Sequence, residues 1–267
     1  MFGDYLDFYR YGLALRSGEY IAPYPLPAVW GLALVSLAPP LVGLIGLSLL
    51  SVVILVYLFR REALLWLWYI PILETFAQGQ LSMLWLWLLQ RGSAWGYALL
   101  TLKPHLFPLA LPALAARRDL WRPFALWCVA LYAPAFVLRP AWLSEWTARV
   151  FSGHDGRITA GTTSSLWSVP ILALAVAIVL IVARRVEWRT IFTAYNPIIR
   201  AYDYTLIAGM SCWLIPLSWG AFGLTQMTQA AWPMALVGVG TAGLMHKASS
   251  ATGPRVWGYV ATFQERR

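Results

Sequence analysis

Charge is what this sequence has least of. Only 12% of its 267 residues are Asp, Glu, Lys or Arg, against about 25% in an ordinary soluble domain. Acid is the scarcer sign, with 11 Asp and Glu against 20 Lys and Arg. Residues 28–59 hold no Asp, Glu, Lys, Arg or His, and neither do residues 123–138 or 158–183. A helix at the surface of a soluble core needs a polar stripe, and these stretches have none. A membrane span needs roughly 20 mostly apolar residues, and each stretch approaches or exceeds that length.

Cysteine is nearly absent too. Cys128 and Cys212 each lie inside an apolar run and read as small buried hydrophobes, which excludes a disulfide framework. No Cys/His ligand set is present, so no metal and no cofactor is implied. There is no D-x-D acidic pair, no Gly-rich phosphate loop and no Ser/His/Asp motif. The start, Met1–Phe2–Gly3–Asp4, lacks the basic region that opens a signal peptide.

What is there is apolar and basic: 60% hydrophobic residues, 16 tryptophans and a net charge of +9. The cations cluster between the runs, at Arg60–Arg61, Arg117–Arg118 with Arg122, and Arg184–Arg185 with Arg189. That is the pattern of cytoplasmic loops. Nucleic-acid binding is excluded because basic and aromatic residues do not alternate on a polar surface. Most of the tryptophans read as interfacial anchors, and stacking on sugars is their other use.

Along the chain, residues 5–16 read as an amphipathic helix stopped at Gly18. Residues 20–27 (YIAPYPLP) form a Pro-rich extended stretch suited to the membrane interface. The next apolar run breaks at Pro39–Pro40, and Leu41–Phe59 is the clearest span. Residues 63–90 carry a polar notch, ETFAQGQ at 74–80. Residues 92–116 carry another at Lys103–Pro104–His105. Charge at membrane depth is tolerated where protein or a watery cavity surrounds it, so both notches point at a common interior site. Residues 123–138 span outward, and 141–165 form an external loop. Leu166–Ala183 is the next span. YNPIIRAYDY at 195–204 is a third polar interruption, followed by apolar stretches 205–222 and 230–245 and a basic tail.

The order of these motifs resembles the polyprenyl-phosphate-sugar-dependent glycosyltransferases of the GT-C superfamily, closest to glycosyltransferase family 87, whose bacterial members are mannosyltransferase-like. The matching pieces are Gly3–Asp4, Phe8–Tyr9–Arg10, Pro23–Tyr24–Pro25, Gly79–Gln80, Lys103–Pro104, Thr163–Ser164–Ser165–Leu166–Trp167, and Asn196–Pro197 with Tyr202–Asp203–Tyr204. Together they cover most of residues 3–220. The resemblance implies an all-α, polytopic transmembrane protein with short or re-entrant helices. It would be one transmembrane domain over 1–267, with 1–27 as an external interfacial segment, multi-pass in the plasma membrane. It also implies transfer of a sugar from a polyprenyl-phosphate donor to a lipid or glycan acceptor on the external face. Family members carry a transmembrane helix ahead of the acidic segment, whereas here Asp4 is almost the first residue. A misplaced start, a truncation or a reduced relative would each account for that.

By the resemblance, a carboxylate in the first external loop is the general base, and Asp4 matches it best. Asp4 as the N-cap of a helix starting at Tyr5 is the alternative. Asp7, one turn on, is the fallback base, or a solvated charge paired with Arg10. Lys103 and His105 would hold the donor phosphate, since charge in mid-run is costly and usually functional. Against this, Lys103 could snorkel to the interface and His105 could be an ordinary interior histidine. Gln80 would bind sugar or phosphate, or else cap the following helix. Arg200 and Asp203 would be a site pair or a structural ion pair, the structural reading being favoured. His154, Asp155 and Arg157 read as solvated loop residues. The basic tail places the C-terminus in the cytoplasm, while the resemblance places 196–204 near the external face, and both orderings stay open. Two other functions compete. One is a non-catalytic relative acting as a subunit or lipid-binding scaffold. The other is a small transporter, which would need matching interrupted helices in two halves, whereas the notches at 74–80 and 103–105 are adjacent.

Overall fold

A computed structural model describes residues 3–151, 166, 169–182, 188–196, 200–208, 212–230, 232–237 and 239. Among them every regular element is helical, α or 3₁₀, and there is no strand. His154, Asp155, Arg157, most of the 161–167 motif, Pro197 and the basic tail lie outside the described residues.

The chain divides into two compact units, the first Met1–Ile54 with Thr75–Ile158, the second Leu55–Glu74 with Thr159–Arg267. The first begins with α1 (Gly3–Arg16), α2 (Leu26–Val35) and α3 (Pro40–Phe59). Gly18, at a φ of +91°, ends the turn that follows α1. Pro39–Pro40 separates α2 from α3, as the residue before a proline is barred from the helical region. Helices α1 and α2 pack closely at Gly12, where a Cβ would collide with the Leu32 carbonyl. Arg16 donates to the Ser36 carbonyl at 2.9 Å and Tyr9 to the Ala38 carbonyl at 3.2 Å. The first satisfies the C-cap carbonyl of α2, and the second a carbonyl of the link between α2 and α3.

The end of α3, α4 (Ala63–Leu67) and the start of α5 (Ile70–Gln78) belong to the second unit; the chain re-enters the first at Thr75 and turns at Gly79–Gln80 into α6 (Ser82–Arg91) and α7 (Ala94–Leu100). Ser93 caps α7 through the Gly96 N–H. The Lys103–Pro104–His105 interruption is a series of turns before α8 (Leu111–Ala116). Helices α9 (Trp121–Leu138) and α10 (Trp142–Phe151) complete the first unit as described. Its aromatic core joins Tyr20, Ala22, Leu26 and Val29 to Ala135 and Trp142. Trp146 donates to the Pro23 carbonyl at 3.0 Å and Arg139 to the Gly18 carbonyl at 3.1 Å. The Pro-rich stretch 20–27, which offers few backbone donors of its own, is therefore tied down by side chains.

The second unit contains α11 (Pro170–Val182), α12 (Trp188–Tyr195) and α13 (Leu214–Thr228). The last of these begins nine residues later than the apolar stretch 205–222, because Ala201–Ile207 forms a 3₁₀ turn instead. Tyr69 donates to the Tyr204 carbonyl at 3.0 Å, and the Ile70 N–H to Ser218 at 3.2 Å. Cys212, expected as a buried hydrophobe, is exposed in the turn ahead of α13, and Cys128 on α9 is half-buried. An apolar run sets the average environment of its residues and not the side to which each one points.

Two helical stretches, Pro40–Leu67 and Arg118–Leu138, are long and apolar enough to cross a membrane. Only 17% and 6% of their most apolar windows are buried within the protein. A soluble core helix of that composition would bury its apolar face against its own chain.

Candidate functional site

Asp4 stands in the first turn of α1, where a carboxylate gains from the positive helix end. One of its oxygens accepts a hydrogen bond from Gln80 Nε2 at 2.5 Å, across 76 residues of sequence. The helix starts at Gly3, so Asp4 lies inside the helix and does not precede it. Gln80 is 3% exposed. It does not cap α6 either, whose N-cap is Leu81 without a side-chain bond. The Gln80 N–H instead bonds the Thr75 carbonyl at 2.9 Å, which closes α5 and aims the side chain back at α1.

Tyr5 locks this contact. It is buried, lies against Tyr9 with the rings tilted, and donates to the Pro40 carbonyl at 2.6 Å. Burial pushes its phenol above the ordinary tyrosine value, with Tyr9 adding to the effect, so it remains a donor at physiological pH. Two glycines make room for it. At Gly43 a Cβ would strike the Tyr5 hydroxyl, and at Gly79 a Cβ would lie 2.6 Å from Tyr5 Cβ. Gly79 also has a φ of +67°, which a side chain rarely adopts. Sequence reasoning singled out Gly79 and missed Tyr5 and Gly43. The signal for Gly43 was faint, a small residue in the first turn of an apolar helix.

Asp7 is half-buried and its carboxylate lies 4.0 Å from Arg10. That is the i,i+3 pairing weighed against a catalytic role. Lys103 is 5% exposed, so it does not snorkel outward. A buried ammonium calls for compensating polar groups. His105 is half-buried in the same run of turns. Both belong to the first unit, as do Asp4 and Gln80.

Arg200 and Asp203 belong to the second unit. Asp203 is fully buried and accepts from the Arg200 backbone N–H at 3.1 Å, while its own N–H bonds the Arg200 carbonyl at 3.0 Å. This reciprocal cap starts the 3₁₀ turn Ala201–Ile207, a structural use of the acid.

The arrangement of Asp4 and Gln80 can do simple acid–base chemistry. A carboxylate held by an amide donor keeps one oxygen oriented while the other is available to take a proton. Among the described residues no group of three or more His, Cys, Asp or Glu could hold a metal ion. No family model matches the chain, and neither a curated protein nor a solved structure is significantly similar to it.

Proposed function

We propose that the chain is a multi-span membrane glycosyltransferase that moves a sugar from a polyprenyl-phosphate donor to a lipid or glycan acceptor at the external face. The observation that carries this reading is the Asp4–Gln80 hydrogen bond, which joins two residues singled out by the GT-C resemblance. In the reaction, the acceptor oxygen attacks the anomeric carbon and forms the new glycosidic bond. The bond from that carbon to the phosphate oxygen breaks, and polyprenyl phosphate leaves with the electron pair. The acceptor's proton passes to Asp4. The single displacement inverts the anomeric centre. Lys103 and His105 would offset charge on the leaving phosphate, and Gln80 would orient the base. The exposed apolar helices support the membrane setting.

The test is sugar transfer in membranes from a panel of radiolabelled polyprenyl-phosphate sugars, comparing wild type with Asp4→Asn. Asparagine keeps an oxygen that can accept from Gln80 but removes the proton acceptor, so chemistry and structure are separated. Transfer should fall about 10²–10⁴-fold with thermal stability nearly unchanged. Undiminished transfer by Asp4→Asn would remove Asp4 as the base. A second reading, a non-catalytic scaffold, is favoured by the same bond if it serves only to clamp α1. It predicts no transfer from any donor by the folded wild type.

A further inference from the structure

We infer that the α6–α7 and α8–α9 turns, with the groove between α7 and α9, form a binding site for an anionic glycerophospholipid of the surrounding bilayer. The inference rests on the membrane setting proposed above and is independent of glycosyl transfer.

The head of the site is built from arginines. Arg91, at the end of α6, is exposed, yet its guanidinium rests against two rings at once, 5.5 Å from the centre of Trp87 and 5.3 Å from that of Trp95. The two rings meet edge to face at 5.6 Å. Such cation–π contact leaves the in-plane N–H groups of a guanidinium available for a phosphate. Arg117 reaches the same turn, donating to the Gly92 carbonyl at 3.5 Å and pairing with Asp119 at 2.9 Å. Arg118 and Arg122 follow, exposed and four residues apart on the continuous helical stretch that leads into the second apolar span. Asp119 offsets one of the four positive charges, and the remainder sits at the mouth of a candidate span.

The tail of the site adjoins the head. Trp95, Ala98 and Leu99 of α7 face Trp127, Ala130 and Leu131 of α9 across a groove of about 200 Å³, lined almost wholly by carbon. Trp95 belongs to both parts: its ring contacts Arg91 and also walls the groove. From Arg122 to Leu131 the helix advances about 13 Å at 1.5 Å per residue. The groove therefore runs from the basic end into the apolar span. A phosphodiester headgroup with one acyl chain satisfies both halves at once, and basic pockets between membrane helices recognise lipids by this combination. A soluble anion would leave the groove unfilled, and a zwitterionic lipid would gain nothing from the excess arginine charge.

The test uses native mass spectrometry of the full-length protein released from detergent micelles with equal phosphatidylglycerol and phosphatidylcholine. Wild type should retain phosphatidylglycerol preferentially. Arg91→Gln and Arg122→Gln should each weaken that preference about fivefold, the effect of one arginine near a lipid surface. Ala130→Trp, at an exposed position of the groove, should reduce retention of lipid while leaving the arginines in place. Equal retention of both lipids by wild type would overturn the proposal, as would an undiminished preference in all three variants. A polyprenyl phosphate arm distinguishes the other source of the same chemistry. Its retention in place of phosphatidylglycerol would reassign the site to that lipid and overturn this one. Sedimentation with membranes after alkaline washing is measured in parallel. A protein that stays in the membrane without lipid preference defeats only this inference, and one that washes off defeats the membrane reading itself.

Discussion

At Gly79 the backbone takes a φ of +67°, and Tyr5 occupies the space where a side chain would go. Alanine there meets both problems at once: a left-handed conformation and a close contact with an atom rigidly attached to the α1 backbone. Gly79→Ala should therefore destabilise the protein by about 1–3 kcal/mol and loosen the Asp4–Gln80 contact. Gly46, in the middle of α3, is the control. A Cβ there meets nothing within 4 Å, and Gly46→Ala should be neutral or slightly stabilising, by up to about 1 kcal/mol. Thermal unfolding in one detergent, with the variants side by side, measures the contrast. Equal stability of the two would mean that Tyr5 does not need the gap at Gly79.

Helix α3 poses the question at the scale of an element. Leu49, near its centre, is 59% exposed. On the surface of a soluble protein, Leu49→Arg would change stability by no more than about 0.5 kcal/mol. In a spanning helix the same change costs about 2.5–3.5 kcal/mol of insertion free energy. Insertion of the Pro40–Leu67 stretch, scored with flanking glycosylation sites, should drop sharply for Leu49→Arg. Unchanged insertion would argue that this helix does not cross. The elements were legible to different degrees. The Pro39–Pro40 break and the 103–105 interruption were visible because proline acts locally. The 3₁₀ turn at Ala201–Ile207 was not, because it depends on the reciprocal bonds of Asp203 with Arg200 and on the burial of Tyr204.

For the molecule as a whole, the described surface leaves large apolar side chains such as Val53, Leu126, Val137 and Leu138 in the open. Exposed apolar side chains on helices long enough to cross a membrane are what the proposed bilayer setting requires. The protein should remain in the membrane pellet after alkaline carbonate washing and come away only with detergent. Release by carbonate alone would sink the spanning reading.

The amino-acid sequence by itself determined the helical class, the place of the two long apolar helices and the breaks at Pro39–Pro40 and 103–105. All of these follow from local composition, from proline and glycine, and from the near absence of charge over long runs. The interruptions of apolar runs singled out the 74–80 and 103–105 notches, with Gln80 and Lys103, and the family resemblance singled out Asp4. Only the tertiary structure decided what those residues do with their polar atoms. It joined Asp4 to Gln80, kept Lys103 inside, set Asp203 to cap its own turn, and laid Arg91 against two tryptophan rings. Hydrogen bonds between distant residues depend on the packing of whole helices, such as the gaps left by Gly43 and Gly79 for Tyr5, and no local pattern of residues encodes that packing.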